Sequence, residues 1–435
     1  MQTLIFFSRV YMQYWNNKNK FFTFSLLLSL QFSLHAQENS PYSRYGIGNL
    51  RDIENIANRG MGGVSIADDN MQIANPINPA TYTGLKLASY QVGLVSHLVT
   101  LKSTQASNKV GKTTLAYVNI GFPISKKMGF SFGLLPISSA RYNMKTTDTN
   151  TSVKSLVNNS YYGGGGVQKI YIGTAYRFND ISIGFNTGYQ FGNITNSSES
   201  SFTDSLNILS NNIYGRTIIG GVFWQAGALM NKEINKSYRL KLGLTYTGAQ
   251  KINAKKEMYW ESYYSDLENI ISKVDSSIGK KGKINMPFNL GAGIMLAHGD
   301  NWQIGADYLY SNWKSYTAFG VADSMDNTWT FRIGGAYIPD PSSVNSYWKK
   351  MTFRLGFYTG KDIINFNGNH LSKAAGAFGI GYPIRRTNNT IGQLNAALEV
   401  GSRGTTDNGL LKENYTHIAI GFTFNDKWFL KRRYD

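Results

Sequence analysis

Tyr238-Arg239-Leu240-Lys241-Leu242-Gly243-Leu244-Thr245-Tyr246-Thr247 alternates without interruption. Tyr238, Leu240, Leu242, Leu244 and Tyr246 share one parity, and Arg239, Lys241, Gly243, Thr245 and Thr247 share the other. Successive side chains of a strand point to opposite faces, so this stretch is a ribbon with one dry side and one wet side. The pattern recurs in both directions along the chain. Upstream, Ile181, Ile183, Phe185, Tyr189 and Phe191 oppose Ser182, Gly184, Asn186, Gly188 and Gln190. Downstream, Trp302, Ile304, Ala306, Tyr308 and Tyr310 oppose Gln303, Gly305, Asp307 and Ser311, and Phe353, Leu355 and Phe357 oppose Thr352, Arg354 and Gly356. Leu394, Ala396, Leu398 and Val400 against Asn395, Ala397, Glu399 and Gly401 continue the series, which Ile418, Ile420, Phe422 and Phe424 close.

A soluble sandwich also alternates, but three further features point to lipid. Many of these runs are long enough for a tilted strand to cross a bilayer, which takes about 9–11 residues, whereas soluble strands are typically about 5–6. Aromatic residues such as Tyr142, Tyr189, Tyr246, Tyr308, Trp313, Trp329, Tyr358 and Tyr415 sit near run ends, where a girdle at the lipid–water boundary needs them. The 45 glycines fall mostly on the wet parity, where a curved wall takes small residues. The connections then alternate in length. Those at 126, 179–180, 232–236 and 299–300 are tight, and those near 143–160, 194–212, 254–283, 315–327, 361–372 and 403–414 are long. That rhythm belongs to an up-and-down barrel with short periplasmic turns and long outer loops. The sequence thus predicts an all-β, transmembrane, antiparallel β-barrel of 14 strands over residues 87–425. Within the longest loop, Leu267, Ile270, Ile271, Val274 and Ile278 follow helical spacing and predict an amphipathic helix.

The remaining segments have different compositions. Lys18 and Lys20 precede the apolar run 21–34, and Ala36 offers a cleavage point, so residues 1–36 read as a secretory signal peptide, with the part before Met12 an upstream extension. Its apolar core is too short for a spanning helix. Removing it takes away Arg9, Lys18 and Lys20 and no acid, lowering the formal charge from +18 to +15. Residues 37–86 lack sustained alternation and are interrupted by prolines, which suits an N-terminal hatch in the barrel lumen. Residues 426–435 form a basic, aromatic tail.

Several functions are disfavoured by what the chain carries. Without cysteine there is neither a disulfide framework nor a zinc–thiolate site. After residue 36 the histidines are His97, His298, His370 and His417, scattered along the chain without ligand spacing or a serine partner, so neither an enzyme nor a metal site nor a cofactor is expected. Gly163-Gly164-Gly165-Gly166 lacks the Lys-Ser/Thr of a phosphate loop and reads as small residues beneath Tyr161 and Tyr162. No nucleic-acid motif accompanies the positive charge, which is read as basic loops meeting membrane lipid and the phosphates of lipopolysaccharide.

Specific blocks resemble a known family. Gly60-Met61-Gly62-Gly63-Val64-Ser65-Ile66-Ala67-Asp68-Asp69 followed by Asn78-Pro79-Ala80 is similar to the hatch signature of the long-chain fatty acid transporters of the outer membrane, the FadL-like proteins. Asn285 to Gly291, leading through Trp302, Asp307 and Tyr308 to Asn312-Trp313, and the blocks Arg332–Pro339 and Phe353–Phe357, look like later strands of that family. Asn75-Pro76 offers a rival register for the hatch motif. The resemblance implies a plugged barrel in the outer membrane of a gram-negative bacterium. It also implies gating by Gly62, Gly63, Asp68, Asp69, Asn78, Pro79 and Ala80, and a gap in the wall where the third strand kinks. Pro136 lies in that strand and fits either the kink or an ordinary strand end at the membrane rim. Hydrophobic compounds such as long-chain fatty acids would enter and leave sideways through the gap. Burying an acyl tail gains about 0.8 kcal/mol per methylene. Lys241, Arg332 and Arg354, with Asp307 and Glu399, would face the lumen, either to hold a ligand headgroup or to pair with one another. Some FadL-like barrels instead serve as protein partners or shuttles of outer-membrane secretion or assembly machinery, and this alternative stands beside uptake.

Overall fold

The computed structural model describes residues 40–150, 155–202, 209–263, 270–344, 346–366, 368–385 and 391–428. The chain divides into two units, Met1–Ala36 and Gln37–Asp435. The expected signal peptide lies outside the described residues, as do positions 429–435 of the tail.

Among the described residues the wall has fourteen staves, each antiparallel to its neighbours. They are β1 (Ala88–Lys102), β2 (Ser107–Ser125), β3 (Met128–Pro136, then Tyr142–Asn150), β4 (Ser155–Phe178), β5 (Ile181–Phe202), β6 (Ser210–Glu233) and β7 (Tyr238–Thr247, then Gln250–Tyr263). The series continues with β8 (Ile270–Met286, then Asn289–His298), β9 (Trp302–Ser311), β10 (Thr328–Tyr337), β11 (Thr352–Phe366), β12 (Asn369–Arg385), β13 (Ile391–Arg403) and β14 (Lys412–Asp426). β1 and β14 close the ring in register from Ala88 opposite Asp426 to Lys102 opposite Lys412. Closure is what lipid demands, because a sheet edge in hydrocarbon would leave peptide groups without partners. Among the described residues no helix is long and apolar enough to cross a membrane.

The dry parity faces outward as expected. Ile181, Ile183 and Phe185 on β5, Leu242 and Leu244 on β7, and Phe422 and Phe424 on β14 are exposed on the lipid-facing side, while Ser182, Asn186 and Lys241 on the opposite parity are buried. Toward the long-loop ends of β11, β13 and β14 the inward parity stays charged, Arg403 pairing with Asp362 and Glu413, but on β4–β8 it changes character. Further out the inward positions turn apolar: Val167 of β4, Ile194 of β5, Ile219 of β6, Ile252 of β7 and Ile284 of β8 pack into one cluster with Tyr42 and Ile47 of the N-terminal segment. Trp313, expected in the girdle, is buried in this cluster, and Tyr142 and Tyr415 also point inward and are buried. Tyr358 is likewise turned inward, where its hydroxyl donates to Glu399 at 2.7 Å; a run-end aromatic can serve either face.

Two expectations about the outer loops are corrected. β4, β5 and β6 run 24, 22 and 24 residues, against 10 each for β9 and β10. A tilted strand needs only about 9–11 residues to cross. Most of the segments read as loops at 143–160, 194–212 and 254–283 therefore continue the hairpins beyond the bilayer, where both faces are polar and the alternation signal fades. The amphipathic helix is not formed: Ile270–Met286 is strand, and Val274 and Ile278 are exposed on it. A spacing of four is even, so it fits one face of a strand as well as one face of a helix. Leu267 lies outside the described residues.

The third stave breaks after Pro136. Its lower piece pairs with β2 only as far as Val118 opposite Leu134, and its upper piece pairs with β4 alone. Between them Ser138 and Ser139 turn inward and pair with Leu50 and Asn49 of the N-terminal segment. β4 follows the bend through Gly165 (φ +103°), a conformation side chains rarely adopt. Gly163 stands under the Tyr142 ring rather than beneath Tyr161 and Tyr162.

Candidate functional site

Residues 40–87 run inside the barrel, and the wall's inward glycines are their seats. A Cβ on Gly184 (β5) would fall 2.3 Å from the Pro79 carbonyl carbon, and one on Gly243 (β7) 2.4 Å from the Ile66 oxygen. On Gly334 (β10) and Gly356 (β11) it would lie 2.1 Å from Met61 backbone atoms, and on Gly129 (β3) 2.0 Å from the Tyr82 oxygen. These are clashes, so the wall and the N-terminal backbone touch directly on at least five staves. Curvature explains glycine on the wet parity less well than this close approach does.

The motif residues occupy these contacts. Gly62 (φ +67°) passes beside the Phe357 backbone, and Gly63 (φ +85°) lies against the Arg332 guanidinium. The Asn78 side chain donates to the carbonyls of Ile66 at 2.7 Å and Ala228 of β6 at 3.1 Å, and accepts from Ala80 N at 3.1 Å. Pro79 packs on Gly184 and Gly227, and Ala80 is fully buried. The rival turn at Asn75 is built alike, donating to Ser65 O at 2.6 Å and Asp68 O at 3.2 Å and accepting from Ile77 N at 3.1 Å. Both Asn-Pro turns therefore serve.

The charged candidates are also engaged by the N-terminal segment. Lys241 pairs with Asp69, which further accepts from Asn231 at 2.7 Å. Arg332 pairs with Glu54 and donates to Gly63 O at 3.0 Å. Asp307 accepts from the backbone N–H groups of Ser65 at 2.7 Å and Ile66 at 2.9 Å. Glu399 lies 3.6 Å from Arg59, 3.1 Å from His417 Nδ1, and accepts from the Tyr358 hydroxyl at 2.7 Å. Arg354 donates to Asn395 across the wall at 3.0 Å. Lys241, Arg332, Asp307 and Glu399 thus fasten the N-terminal segment to the wall, and Arg332 also stands directly opposite Asp307 on the neighbouring stave.

The acidic pair is chemically unequal. Asp68 is buried, accepts from Asn58 at 2.7 Å, and its carboxyl is pushed up by that burial, against the pull of Lys241 and of the Asn58 bond. Asp69 instead holds the Lys241 ammonium. Sequence reading missed Glu54 and Arg59, the acid and base of these buried pairs. It also missed that closing β1 on β14 sets His97 opposite His417, with ring centres 4.4 Å apart.

Three of the cavities among the described residues adjoin this packing. The largest, about 1110 Å³, is an open bowl on the tight-turn side, where Lys126, Arg177, Lys232 and Arg239 meet Asp180, Glu233 and Asp300. A second, about 170 Å³, lies between the N-terminal segment and the wall and carries Arg51, His97, Asp362, Lys373, Arg403 and Glu413. The third, about 580 Å³, sits at the break in β3, beside Lys112, Arg141, Gly163 and Tyr214. None of the three is an apolar tunnel, since charged and polar groups line each. The apolar cluster of the outer half is filled by Tyr42, Ile47 and Met325.

With this architecture in view, the sequence matches the BamG family model over residues 18–435. The chain belongs to the BamG family. Among curated proteins none matches it. Among solved structures, this BamG-family barrel is similar to a Pseudomonas aeruginosa FadL homologue, at 13% identity and TM-score 0.57, covering 88% of this chain and 100% of that one. The Ralstonia pickettii toluene transporter TbuX aligns at 16% identity and TM-score 0.55, covering 85% and 97%. The CymD monoaromatic hydrocarbon channel aligns at 13% identity and TM-score 0.53, covering 89% and 99%. At these identities the likeness establishes a shared FadL-like fold for the BamG-family chain.

Proposed function

We propose that this protein is an outer-membrane barrel held shut by its own N-terminal segment, and that it acts as a partner of outer-membrane assembly or secretion machinery. The observation that carries this reading is the seating of residues 40–87. Wall glycines contact that backbone on at least five staves, and buried ion pairs from Asp69, Glu54 and Arg59 bind it to the wall. Opening a passage would separate buried charges, each separation costing about 3–5 kcal/mol. The hairpins raised above β4–β8 supply a protein-facing surface on the outer side, and the charged bowl supplies one on the periplasmic side.

The test is gentle solubilisation of outer membranes followed by size-exclusion chromatography and mass determination. A stoichiometric complex with an assembly or secretion component is expected; a solitary barrel carrying bound lipid would overturn the reading. One observation favours uptake of hydrophobic compounds as a second reading, namely that barrels of similar fold include a toluene transporter and a monoaromatic hydrocarbon channel. On that reading the Asn78-Pro79-Ala80 turn is the hinge and the break after Pro136 is the side exit. Purified protein would then bind a fluorescent long-chain fatty acid saturably, and Asn78→Ala with Pro79→Ala would impair uptake while leaving the barrel folded.

A further inference from the structure

The outward face of β7 and β8 changes character where it leaves the lipid-facing band. Tyr246 stands opposite Leu290, Leu290 opposite Tyr310, and Tyr310 opposite Trp329, so one ladder row crosses four staves. Tyr246, Leu290 and Trp329 on it are exposed, and the row has the composition of the outer girdle. Beyond the row, three successive outward rungs read Lys251 opposite Asn285, Asn253 opposite Lys283, and Lys255 opposite Lys281. The alternate residues Ile252, Ala254 and Ile284 are buried, which fixes the four lysines on the outer surface. Opposed side chains have Cβ atoms about 4.5–5.5 Å apart, and same-face rungs are separated by about 7 Å. Four ammonium groups are thereby gathered on a patch about 14 Å tall.

This arrangement is costly as it stands, because like charges directly opposite each other weaken a sheet. Lys255 reaches Glu257 at 3.0 Å, while among the described residues Lys251, Lys281 and Lys283 form no ion pair. Immediately below lie the exposed apolar residues Leu244, Leu290 and Ile294 of the same two staves. A ligand that satisfies both halves has phosphates at its head and several acyl chains beneath. We propose that this face binds a phosphorylated glycolipid of the outer leaflet, its phosphates on Lys251, Lys255, Lys281 and Lys283 and its chains along Leu244, Leu290 and Ile294. The site lies outside the lumen and is independent of whether the barrel assists assembly or takes up compounds.

The test is native mass spectrometry of the full barrel titrated with bis-phosphorylated lipid A, dephosphorylated lipid A and phosphatidylglycerol. The protein is expected to retain bis-phosphorylated lipid A at least tenfold more tightly than either of the others. Replacing the four lysines by glutamine should abolish that preference. Replacing Lys126, Lys127, Lys349 and Lys350 by glutamine, an equal charge change on tight-turn-side segments, should preserve it. Both variants are first checked for the unheated, compact gel band of a folded barrel. Equal retention of all three lipids, or equal loss in the two variants, would overturn the assignment. Should the fourfold variant not fold, Lys255→Gln with Lys281→Gln reads the same preference.

Discussion

Asp68 and Asp69 adjoin in the chain and read as one acidic motif, yet their surroundings assign them opposite tasks. Asp69 neutralises the buried Lys241 ammonium, so Asp69→Asn strands a charge and is expected to destabilise the seated N-terminal segment by about 3–5 kcal/mol. Asp68 carries a carboxyl that burial has raised, and Asp68→Asn keeps an acceptor for Asn58 and is expected to cost no more than about 1 kcal/mol. The two also differ in pH response. A carboxyl raised in the folded state is less destabilising when protonated, so wild type loses ground to Asp68→Asn as pH rises from the unfolded carboxylate range toward neutrality. Midpoints of the heat-induced gel shift, read for each variant at pH 4 and pH 7, check both statements. The motif residues were legible because Gly, Asn-Pro and paired acids have few other uses in so short a stretch. Their unequal chemistry was not, since burial is a property of what packs around a residue.

The staves were legible wherever one face meets lipid and the other does not, as in β7, where Leu242 and Leu244 are exposed and Lys241 is buried. They ceased to be legible above the bilayer, where β4–β6 are mostly polar and joined by ladder bonds and by side-chain bonds such as Ser197 to Asn212 and Ser200 to Asn159, and where Val274 and Ile278 fit two periodicities at once. Glycine carried more information than its parity alone suggests. Gly356 of β11 leaves no room for a side chain against Met61, so Gly356→Val must push the N-terminal segment off the wall or distort the stave. On the neighbouring stave a Cβ on Gly376 would meet nothing within 4 Å, so Gly376→Val serves as the control for added volume on the wall. Gly356→Val is expected to raise protease cleavage within residues 40–87 at least tenfold, with the control near wild type, and timed proteolysis with mass mapping reads it. The break in β3 should show at the same scale. Residues 107–117 of β2 have a ladder partner only in β1, whereas β1 is paired on both sides. Their amides are therefore expected to exchange hydrogen faster than those of residues 92–98, by hydrogen-exchange mass spectrometry in detergent.

For the whole molecule the decisive quantity is whether the ring of fourteen staves conducts. A barrel of this size closes by its own hydrogen bonds, since β1 and β14 pair through a backbone ladder from Ala88 opposite Asp426 to Lys102 opposite Lys412. Deleting residues 40–87 should therefore leave a folded wall while exposing the lumenal charges of Lys241, Asp307, Arg332 and Glu399 to water. Wild type is expected to be electrically silent in a planar bilayer, because residues 40–87 meet the inward wall at glycines on several staves. The deletion is expected to give stable ohmic steps, and Asp69→Asn brief openings, because loss of one ion pair leaves the glycine seats and the remaining pairs in place. Steady conductance in wild type would mean that the N-terminal segment moves aside without chemical change, and the shut-barrel reading would then give way to the uptake reading. The comparison turns on a single physical contrast: a plug that rests in a pore can leave it by thermal motion, whereas one whose backbone meets the wall at glycines and whose charges are paired there must first break those contacts together.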